Sequence, residues 1–219
     1  MERDGCMRSL IWLPYRGLSL LFRKIHNVSR KIIQLWAPKS IKGAVWDREF
    51  RRGRWDHLDH TEKDIIYSYI EKYCDNGNIL DLGCGSGNTS NEINIEGYGR
   101  YTGIDISNVA IEKAISISKQ NNRSHKNEFC VADISAYIPI ETYDLILFRE
   151  CLFYFPKSKI KSILDKYKKN LSSKGVFVVR FAAIEKYAYI QTIIENSYEI
   201  IEKCLHEHDD GKTIVMVFR

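Results

Sequence analysis

The chain has 219 residues, of which 44% are hydrophobic, and a formal net charge of +5. This length and composition are typical of one globular domain with an extension. The charge is uneven, because residues 1–45 carry nine Lys and Arg against two acids, a net of +7, whereas the remainder sums to −2. A long basic surface for nucleic acid is therefore excluded from the main body of the chain, and nucleic acid is not an expected partner.

Six cysteines are scattered singly along the chain, without a Cys-x-x-Cys pair and without a histidine at metal-ligand spacing. This pattern does not match a structural metal site or a disulfide framework. We therefore expect reduced thiols, a cytoplasmic protein and no bound metal.

The first 45 residues are predicted to form a basic amphipathic helical extension. An apolar run over residues 10–22 is interrupted by proline, arginine and glycine, so it is too short to span a bilayer, which needs about 20 apolar residues. Residues 18–36 then place apolar side chains on one helical stripe and basic side chains opposite. Two interpretations stay open: the stripe docks on the rest of the protein, or it makes peripheral contact with the anionic inner face of the membrane.

Residues 46–61 alternate charged and aromatic side chains without a clean apolar face. We interpret this segment as a connector or lid that forms the wall of a site, because ligand pockets are lined largely by aromatic and apolar side chains. Trp55 and Phe50 are expected to cover a bound ligand. His57 is a candidate catalytic base, with a solvated loop histidine as the alternative. Residues 61–64 resemble a helix start with an acidic first turn.

A strand that ends in a glycine-spaced turn opens the main domain, which is assigned to residues 62–219. Residues 79–82 are apolar apart from Asp81 and lead into Gly-x-Gly-x-Gly at residues 83–87. Without a Cβ, glycine adopts conformations closed to other residues and lets a ligand approach the main chain. The following helix directs its unpaired N–H groups toward that ligand. The stretch predicts a nucleotide-type pocket, with a plain turn as the alternative.

An acid follows at the end of the next predicted strand, residues 101–107. Asp105 lies 18 residues beyond Gly87. This is close to the spacing at which an acid at a strand tip accepts hydrogen bonds from ribose hydroxyls. The alternative role for Asp105 is to cap the helix that follows, a role that Ser107 also suits.

The rest of the chain alternates strands and helices. Two final strands flank the hairpin signal at residues 209–211. This order predicts an α/β fold with a doubly wound, mostly parallel sheet, helices on both faces and an antiparallel last strand at one edge. The predicted strands are 128–132, 143–148, 176–181, 198–206 and 213–219, and the predicted helices are 89–96, 108–118, 156–171 and 185–194.

Together these features resemble the class I S-adenosylmethionine-dependent methyltransferases, over about residues 60–219. That family has a seven-stranded Rossmann-like sheet whose last strand is antiparallel. The resemblance implies that the glycine loop lies under the methionine part of S-adenosylmethionine, that Asp105 holds its ribose and that Asp133 contacts the adenine amino group. The residues implied to bind the cofactor are Asp81, Gly83, Cys84, Gly85, Gly87, Asp105, Ile106, Asp133, Ile134, Arg149 and Trp55.

A nicotinamide-dependent dehydrogenase is the nearest competing interpretation of the same predicted sheet. Its loop is spaced Gly-x-Gly-x-x-Gly, whereas here the glycines alternate strictly and Asn88 follows Gly87. The aspartate before the loop and the terminal hairpin also favour methyl transfer.

Methyl transfer from a sulfonium requires mainly positioning and removal of water. A hydroxyl acceptor also benefits from a general base within hydrogen-bonding reach. Glu150 is the first candidate, because it follows the fourth strand at the edge where ligands of open sheets bind; its alternatives are a helix-start acid or a partner of Arg149. His57 is the second candidate. Arg149 and Tyr154 are expected to hold an anionic or hydroxylated acceptor.

The acceptor is less clearly indicated than the methyl donor. No Asn-Pro-Pro-Tyr or Asp-Pro-Pro-Tyr segment follows the fourth strand, so amino-group methylation of DNA or glutamine is not supported. Segments similar to Phe50-x-x-Gly53-x-Trp55 precede the sheet in several methyltransferases of sugars and small metabolites. The first expectation is therefore a small hydroxylated acceptor, such as a sugar of a lipid-linked or cell-surface polysaccharide. The alternatives are an RNA methyltransferase that uses the basic N-terminus and a cofactor-binding scaffold without turnover.

Overall fold

The computed structural model describes residues 37–58, 61, 64–208 and 211–219. The helical stripe predicted over residues 18–36 and its docking or membrane contact lie outside the described residues, as do hairpin residues 209–210. Within the described part of the chain, no helix is long and apolar enough to cross a membrane.

The described chain alternates helices and strands, as the sequence predicts. The helices are α1 (Lys39–Arg51), α2 (Ile66–Cys74), α3 (Asn88–Glu92), α4 (Asn108–Gln120), α5 (Lys157–Lys168) and α6 (Ile184–Ser197). The strands are β1 (Ile79–Leu82), β2 (Tyr101–Asp105), β3 (Asn127–Val131), β4 (Tyr143–Arg149), β5 (Leu171–Ala182), β6 (Ile200–His208) and β7 (Gly211–Phe218). Short 3-10 turns lie at Asp56–Leu58, Ile95–Gly97 and Leu152–Tyr154.

The seven strands form one sheet in the order β3-β2-β1-β4-β5-β7-β6. All neighbouring pairs are parallel except those of β7, which is antiparallel to both β5 and β6. The prediction of an antiparallel last strand is confirmed. Its predicted position at the edge of the sheet is wrong, because β7 is inserted between β5 and β6.

Burial explains this insertion of the last strand. Residues 213–218 of β7 are buried without interruption, whereas exposed and half-buried residues alternate over residues 201–207 of β6. A continuous apolar run is typical of a strand covered on both faces in the sheet interior. Strand β6, with its charged side chains, therefore takes the edge, where lysine and glutamate discourage pairing with another chain.

The two faces of the sheet carry separate apolar cores. Alternate residues along each strand point to opposite faces, so Leu145 and Leu147 of β4 face α2, whereas Ile146 and Phe148 face α5 and α6. The side chains of α2 that complete the first core include Ile66 and Ile70. Those of α5 and α6 that complete the second include Ile160, Leu164, Tyr167, Ile190 and Ile194.

Three local predictions differ from the structure. Residues 39–51, interpreted partly as an extension and partly as a connector, form helix α1, which tertiary packing of Phe50 and Glu49 stabilises. The helix predicted from residue 61 begins at Ile66, where the Asp64 carboxylate accepts a hydrogen bond from the Ile66 N–H at 3.1 Å. The helix predicted over residues 89–96 stops at Glu92 and a separate 3-10 turn follows.

Candidate functional site

The glycine loop joins β1 to α3 at the carboxyl edge of the sheet. Gly83, Gly85 and Gly87 have φ of +87°, +55° and +76°, in the region that residues with a Cβ rarely adopt. A Cβ on Gly87 would also approach the Cβ of Ala114 to 2.9 Å and the ring of Phe129 to 3.1 Å. Glycine is therefore required at this position by both backbone conformation and space.

Asp81 lies directly beneath this loop and is 1% exposed. Its Oδ2 accepts a hydrogen bond from the Tyr101 hydroxyl. Its Oδ1 is buried and has no well-aligned donor among the described residues, although the Thr89 side chain lies close enough to offset part of the rise in the pKa of the carboxyl. Burial raises the pKa of the carboxyl to about 6, and the Tyr101 hydrogen bond offsets only part of that shift. A buried acceptor without a donor is uncommon in folded proteins, so this oxygen marks a place for a ligand N–H group.

Asp105, at the end of β2, connects the glycine loop to the start of α4. Its Oδ2 accepts from the Gly85 N–H at 3.1 Å and its Oδ1 from the Ser107 N–H at 2.9 Å. Desolvation by the surrounding protein raises its pKa to about 6. The cap of α4 is Ser107, whose hydroxyl accepts from the Ala110 N–H at 3.1 Å, so the capping alternative applies to Ser107 and not to Asp105.

The segment after β3 forms the next part of this edge. Asp133 accepts hydrogen bonds from the Ser135 N–H at 2.9 Å and the Ser135 hydroxyl at 2.6 Å, and Lys42 of α1 lies 3.4 Å away. Burial disfavours the charged carboxylate, but these donors outweigh burial and lower the pKa of Asp133. Ile134 extends beneath the loop, with its Cδ1 3.7 Å from the position of a Cβ on Gly83.

Helix α1 packs across this edge, a feature that the sequence did not reveal. The Asp47 carboxylate accepts from the Ser107 hydroxyl at 2.7 Å and from the Val109 N–H at 3.2 Å. The Phe50 ring lies 3.7 Å from the position of a Cβ on Gly85. Gly43 packs against the carbonyl oxygen of Ile106, which would lie 3.1 Å from a Cβ at this position. In the sequence, the sign of this packing is the glycine at position 43. A lone glycine in a charged segment is weak evidence for such a contact.

Arg149, at the end of β4, belongs to a buried charged network. Its guanidinium donates to the Asp64 carboxylate at 2.6 Å and to the Thr61 hydroxyl at 3.0 Å. Arg180 of β5 lies 3.4 Å from the same carboxylate. Sequence reasoning missed Asp64 and Arg180, although a single arginine within the apolar strand β5 was a usable signal.

Glu150 follows Arg149 with a φ of +54°. Its Oε1 accepts from Arg180 at 2.5 Å and from the Ala182 N–H at 2.9 Å, so its ion-pair partner is Arg180 and not Arg149. Burial raises the pKa of Glu150 and the Arg180 charge offsets part of that rise. No described residue donates to its Oε2, and the side chain is 27% exposed. This oxygen is therefore accessible to a ligand hydroxyl.

The connector places Trp55 and His57 next to each other. The Trp55 ring lies 5.9 Å from Trp46 and 6.5 Å from Phe50, and its Nε1 is buried without a partner among the described residues. His57 is exposed, and its Nδ1 donates to the Arg54 carbonyl at 3.1 Å. Trp55 thus packs with α1 over the edge of the sheet. The contacts of His57 within the described chain are local, with the Arg54 carbonyl and with the Trp55 ring, whose centroid is 6.2 Å away.

Cys84 and Cys151 are buried beside the loop, and burial raises the pKa of both thiols. Both are therefore protonated, inert groups near neutral pH. Among the residues that the structure describes, no group of three or more His, Cys, Asp or Glu is arranged to hold a metal ion.

Comparison with known proteins finds methyltransferases at the level of family, sequence and fold. The model of a family described as a methyltransferase domain matches residues 74–216. Trans-aconitate 2-methyltransferase of Streptomyces avermitilis is 30% identical over 113 residues, which are 51% of this chain and 42% of that protein. The chain therefore matches less than half the length of this curated relative.

Two solved structures are similar in fold. The N-methyltransferase NodS from Bradyrhizobium japonicum WM9, in complex with S-adenosyl-l-homocysteine, superposes with a TM-score of 0.61 at 20% identity, over 75% of this chain and 90% of NodS. Magnesium protoporphyrin IX methyltransferase from Synechocystis PCC 6803, with bound SAM, gives a TM-score of 0.59 at 16% identity, over 78% of this chain and 82% of that chain. At identities of 20% and 16%, the similarity shows a shared fold alone.

Proposed function

Because the chain belongs to the family of methyltransferase-domain proteins, we propose that it is an S-adenosylmethionine-dependent methyltransferase that acts on a small hydroxylated acceptor. The observation that carries the proposal is the carboxyl edge itself. Within the matched residues 74–216, a loop of three glycines at positive φ lies beside a buried aspartate oxygen that has no well-aligned donor among the residues that the structure describes. Asp105 and Asp133 follow at the ends of the next two strands.

The residues at this edge fit S-adenosylmethionine. Asp81 Oδ1 has no well-aligned donor in the described part of the chain, and the amino group of the cofactor could serve as its donor. Asp105 would accept hydrogen bonds from the ribose hydroxyls and Asp133 from the adenine amino group, with Ile106 and Ile134 beside them. Cys84, Arg149 and Trp55 are proposed to complete the cofactor site. When bound, the cofactor supplies a methyl group on a sulfonium, which is already a good leaving group.

The chain itself supplies orientation, exclusion of water and a base. Helix α1 and Trp55 cover the edge, so that water is displaced from the reacting groups. Glu150 Oε2 takes the proton of the acceptor hydroxyl, because this oxygen lies past β4 and its partner oxygen is held by Arg180 and Ala182. Burial raises the pKa of Glu150, which makes its carboxylate a stronger base than an exposed one. His57 is the second candidate base.

For the acceptor, a sugar of a lipid-linked or cell-surface polysaccharide is the proposal that the sequence supports best. The similarity of residues 50–55 to segments of sugar methyltransferases supports it. The names of the related proteins, which include trans-aconitate and magnesium protoporphyrin IX methyltransferases, support only the coarser statement that the acceptor is a small molecule. The net charge of +7 on residues 1–45 would suit an acceptor presented at the inner face of the cytoplasmic membrane. The protein is thus proposed to be cytoplasmic and peripheral to the membrane.

Calorimetry with S-adenosylmethionine tests the proposal. Wild type should bind, and Asp105→Ala should weaken binding about tenfold to a hundredfold, because hydrogen bonds to a charged group contribute about 1.5–3 kcal/mol. Glu112→Ala is the matched control, since Glu112 is an exposed acid on α4. Unchanged affinity in Asp105→Ala would contradict the ribose assignment. Absence of labelled methyl transfer to any hydroxylated acceptor, with binding intact, would favour a scaffold.

A further inference from the structure

Two isoleucines project into solvent from the segment that leads into β4. Ile138 is 76% exposed and Ile140 is 95% exposed, whereas Pro139 between them is buried. Single exposed apolar side chains are common on protein surfaces. These two lie together, and the other large exposed apolar side chains in the described ranges are at most 50% exposed. We call Ile138 and Ile140 the isoleucine tip, and the described residues leave most of it uncovered.

The isoleucine tip is held against the residue pair that follows α5. The Asn170 side chain donates to the carbonyl oxygens of Pro139 and Glu141, at 3.2 and 2.9 Å. The Asn170 carbonyl oxygen accepts from the Tyr143 N–H at 2.8 Å. These hydrogen bonds fix the backbone on both sides of Ile140, so the tip is presented at a defined place beside the end of α5.

Residues 157–174, which comprise α5 and the start of β5, form a strongly basic segment. They carry seven lysines and one aspartate, a net of +6, whereas the rest of residues 46–219 sums to −8. Six of the seven lysines are exposed, and the seventh, Lys166, is half-buried. The small net charge of the main body therefore conceals a local concentration of positive charge.

Three of these lysines adjoin the isoleucine tip. We call them the lysine cluster: Lys168, Lys169 and Lys174. The first two directly precede Asn170, whose side chain holds the tip. The third directly precedes Gly175, where a Cβ would lie 2.8 Å from the Tyr143 carbonyl oxygen. The cluster and the tip are thus joined by the same short stretch of backbone contacts.

The charge of the lysine cluster is not neutralised by the protein. No salt bridge among the described residues uses its three ammonium groups. The nearby acids Asp165, Glu141 and Glu199 each pair with another cation, at 2.7, 3.0 and 2.9 Å. The cluster therefore keeps its positive charge for an anionic partner.

The combination of aliphatic side chains and lysines indicates the chemistry of that partner. Proteins attach to a membrane surface through an apolar group that enters the acyl region together with cations that face anionic head groups. Nucleic-acid surfaces use arginine and aromatic rings that stack on bases, and the tip and the cluster contain neither. Residues 1–36 carry a net charge of +5, so the cluster repels this segment of the chain.

We propose that the isoleucine tip and the lysine cluster form a docking surface for an anionic lipid bilayer. The tip enters the acyl region, and the lysines contact phosphate groups at the surface. This inference goes beyond the proposed function, because it concerns where the protein works and not its reaction. The tip precedes β4 and so lies at the amino edge of the sheet. Docking therefore leaves the glycine loop, at the carboxyl edge, open to solvent.

Co-sedimentation of the full chain with lipid vesicles tests the tip. Vesicles of equal parts phosphatidylcholine and phosphatidylglycerol should bind the wild type, and vesicles of phosphatidylcholine alone should bind it less. Ile138→Ser combined with Ile140→Ser should weaken binding about tenfold, the lower end of the effect of burying an isoleucine. Ile138→Leu combined with Ile140→Leu should bind normally, because leucine keeps the apolar area.

A second pair of substitutions tests the charge. Lys169→Gln combined with Lys174→Gln should weaken binding to the anionic vesicles about 25-fold, since each lysine near an anionic surface contributes about fivefold. The matched control is Ile115→Ser combined with Lys119→Gln, an exposed isoleucine and an exposed lysine of α4. This control should bind the vesicles as the wild type does.

Three results would overturn the proposal. Equal vesicle binding by wild type and the serine variant would assign membrane contact to another part of the chain, such as residues 18–36. Loss of binding in the lysine variant alone would exclude insertion of the tip. Salt-dependent binding of transfer RNA without vesicle binding would assign the basic segment to nucleic acid.

Binding of S-adenosyl-l-homocysteine, measured by calorimetry, separates this inference from the proposed function. It should be equal in wild type and all variants, because the docking surface and the glycine loop lie at opposite edges of the sheet. Its absence in the wild type would contradict the proposed function and leave the docking surface in place. Absence of vesicle binding with the cofactor bound would overturn the docking surface alone.

Discussion

The Asp81 carboxylate combines an unfavourable environment with a proposed binding role. It is 1% exposed and one of its oxygens has no well-aligned donor among the described residues. An unpaired buried acceptor lowers stability, and such local costs are found where a protein is organised to receive a ligand. Asp105 contributes a cost of a different kind, because both its oxygens accept backbone hydrogen bonds and it is desolvation of the charged carboxylate that raises its pKa to about 6.

Asp81→Asn should change the dependence of stability on pH. Burial raises the folded-state pKa of Asp81 from 3.8 to about 6, so the native state holds more protons than the unfolded state between these values. The contribution of this group to stability therefore falls as pH rises from about 4 to about 6. Because asparagine does not titrate, the variant should gain roughly 1–3 kcal/mol relative to wild type between pH 4 and pH 7.5.

Urea unfolding at the two pH values measures this difference. Asp105 remains in both proteins, but its charge adds to the rise in the pKa of Asp81, so the difference between the two proteins includes the loss of this repulsion. A relative stability that is the same at both pH values would show that Asp81 titrates normally in the folded protein. The same variant should bind S-adenosylmethionine more weakly, which calorimetry would detect separately.

Helix α1 depends on the rest of the molecule for its position. Its Asp47 carboxylate joins it to the first turn of α4, and Phe50 packs on the glycine loop. Lys42 adds an ion pair with Asp133 at 3.4 Å. These contacts connect one helix to the ends of three neighbouring strands, so the helix forms part of the site.

Asp47→Ala should destabilise the protein by about 1–2 kcal/mol, because it removes two hydrogen bonds from the start of α4. Hydrogen exchange should increase over residues 39–51, since α1 loses its principal polar attachment. Asp56→Ala is the matched control. Asp56 also contacts α4, through Lys113 at 3.1 Å, but both side chains are largely exposed, and exposed ion pairs contribute little. If Asp56→Ala matched Asp47→Ala in both measurements, the attachment of α1 would have been assigned to the wrong residue.

The Asp64 carboxylate connects parts of the molecule that are far apart in sequence. It accepts from Arg149 of β4 and lies beside Arg180 of β5, with a side chain only 6% exposed. Arg180 in turn holds Glu150. The two neighbouring strands and the segment before α2 are thus joined by one network of two cations and two carboxylates.

Asp64→Ala should destabilise the protein by about 3 kcal/mol, since it leaves the buried Arg149 without its charged partner. Chemical denaturation measures this change. Glu141→Ala provides the comparison, because the Arg100–Glu141 bridge is exposed at both ends and its loss should have almost no effect. A change of similar size in both variants would mean that the network does not support the carboxyl edge. Asp64→Asn should fall between the two, because it keeps a hydrogen-bond acceptor.

The order of strands and helices was predictable because each element is indicated by the pattern of its own residues. Apolar runs of strand length, helical stripes and turn residues recur along the chain, and the seven strands follow from them in order. The glycine loop was predictable for the same reason, since Gly83, Gly85 and Gly87 occupy conformations that other residues avoid. Asp105 and Asp133 were identified by their places at the ends of predicted strands.

Several parts of the candidate site were not predictable in this way. Nothing near Glu150 in sequence indicates that Arg180 is its partner, because the two residues meet only when β4 and β5 pair. Helix α1 has a weak apolar stripe. Its residues Phe50 and Glu49 are buried by contacts with the glycine loop and with the connector, respectively. The ring contacts that link Trp46, Tyr154 and Tyr187 through neighbouring rings join three separate segments of the chain.

The resemblance to a methyltransferase family supplied the residues proposed to hold the methyl donor. The sequence alone was sufficient to indicate the α/β sheet, the antiparallel last strand and the glycine loop. These depend on backbone conformation and on periodicity, which each segment carries within itself. Tertiary structure decided the position of β7 inside the sheet, the packing of α1 over the edge and the pairing of Glu150 with Arg180. They depend on which distant segments compete for the same buried surface, and that competition is resolved only when the whole chain packs.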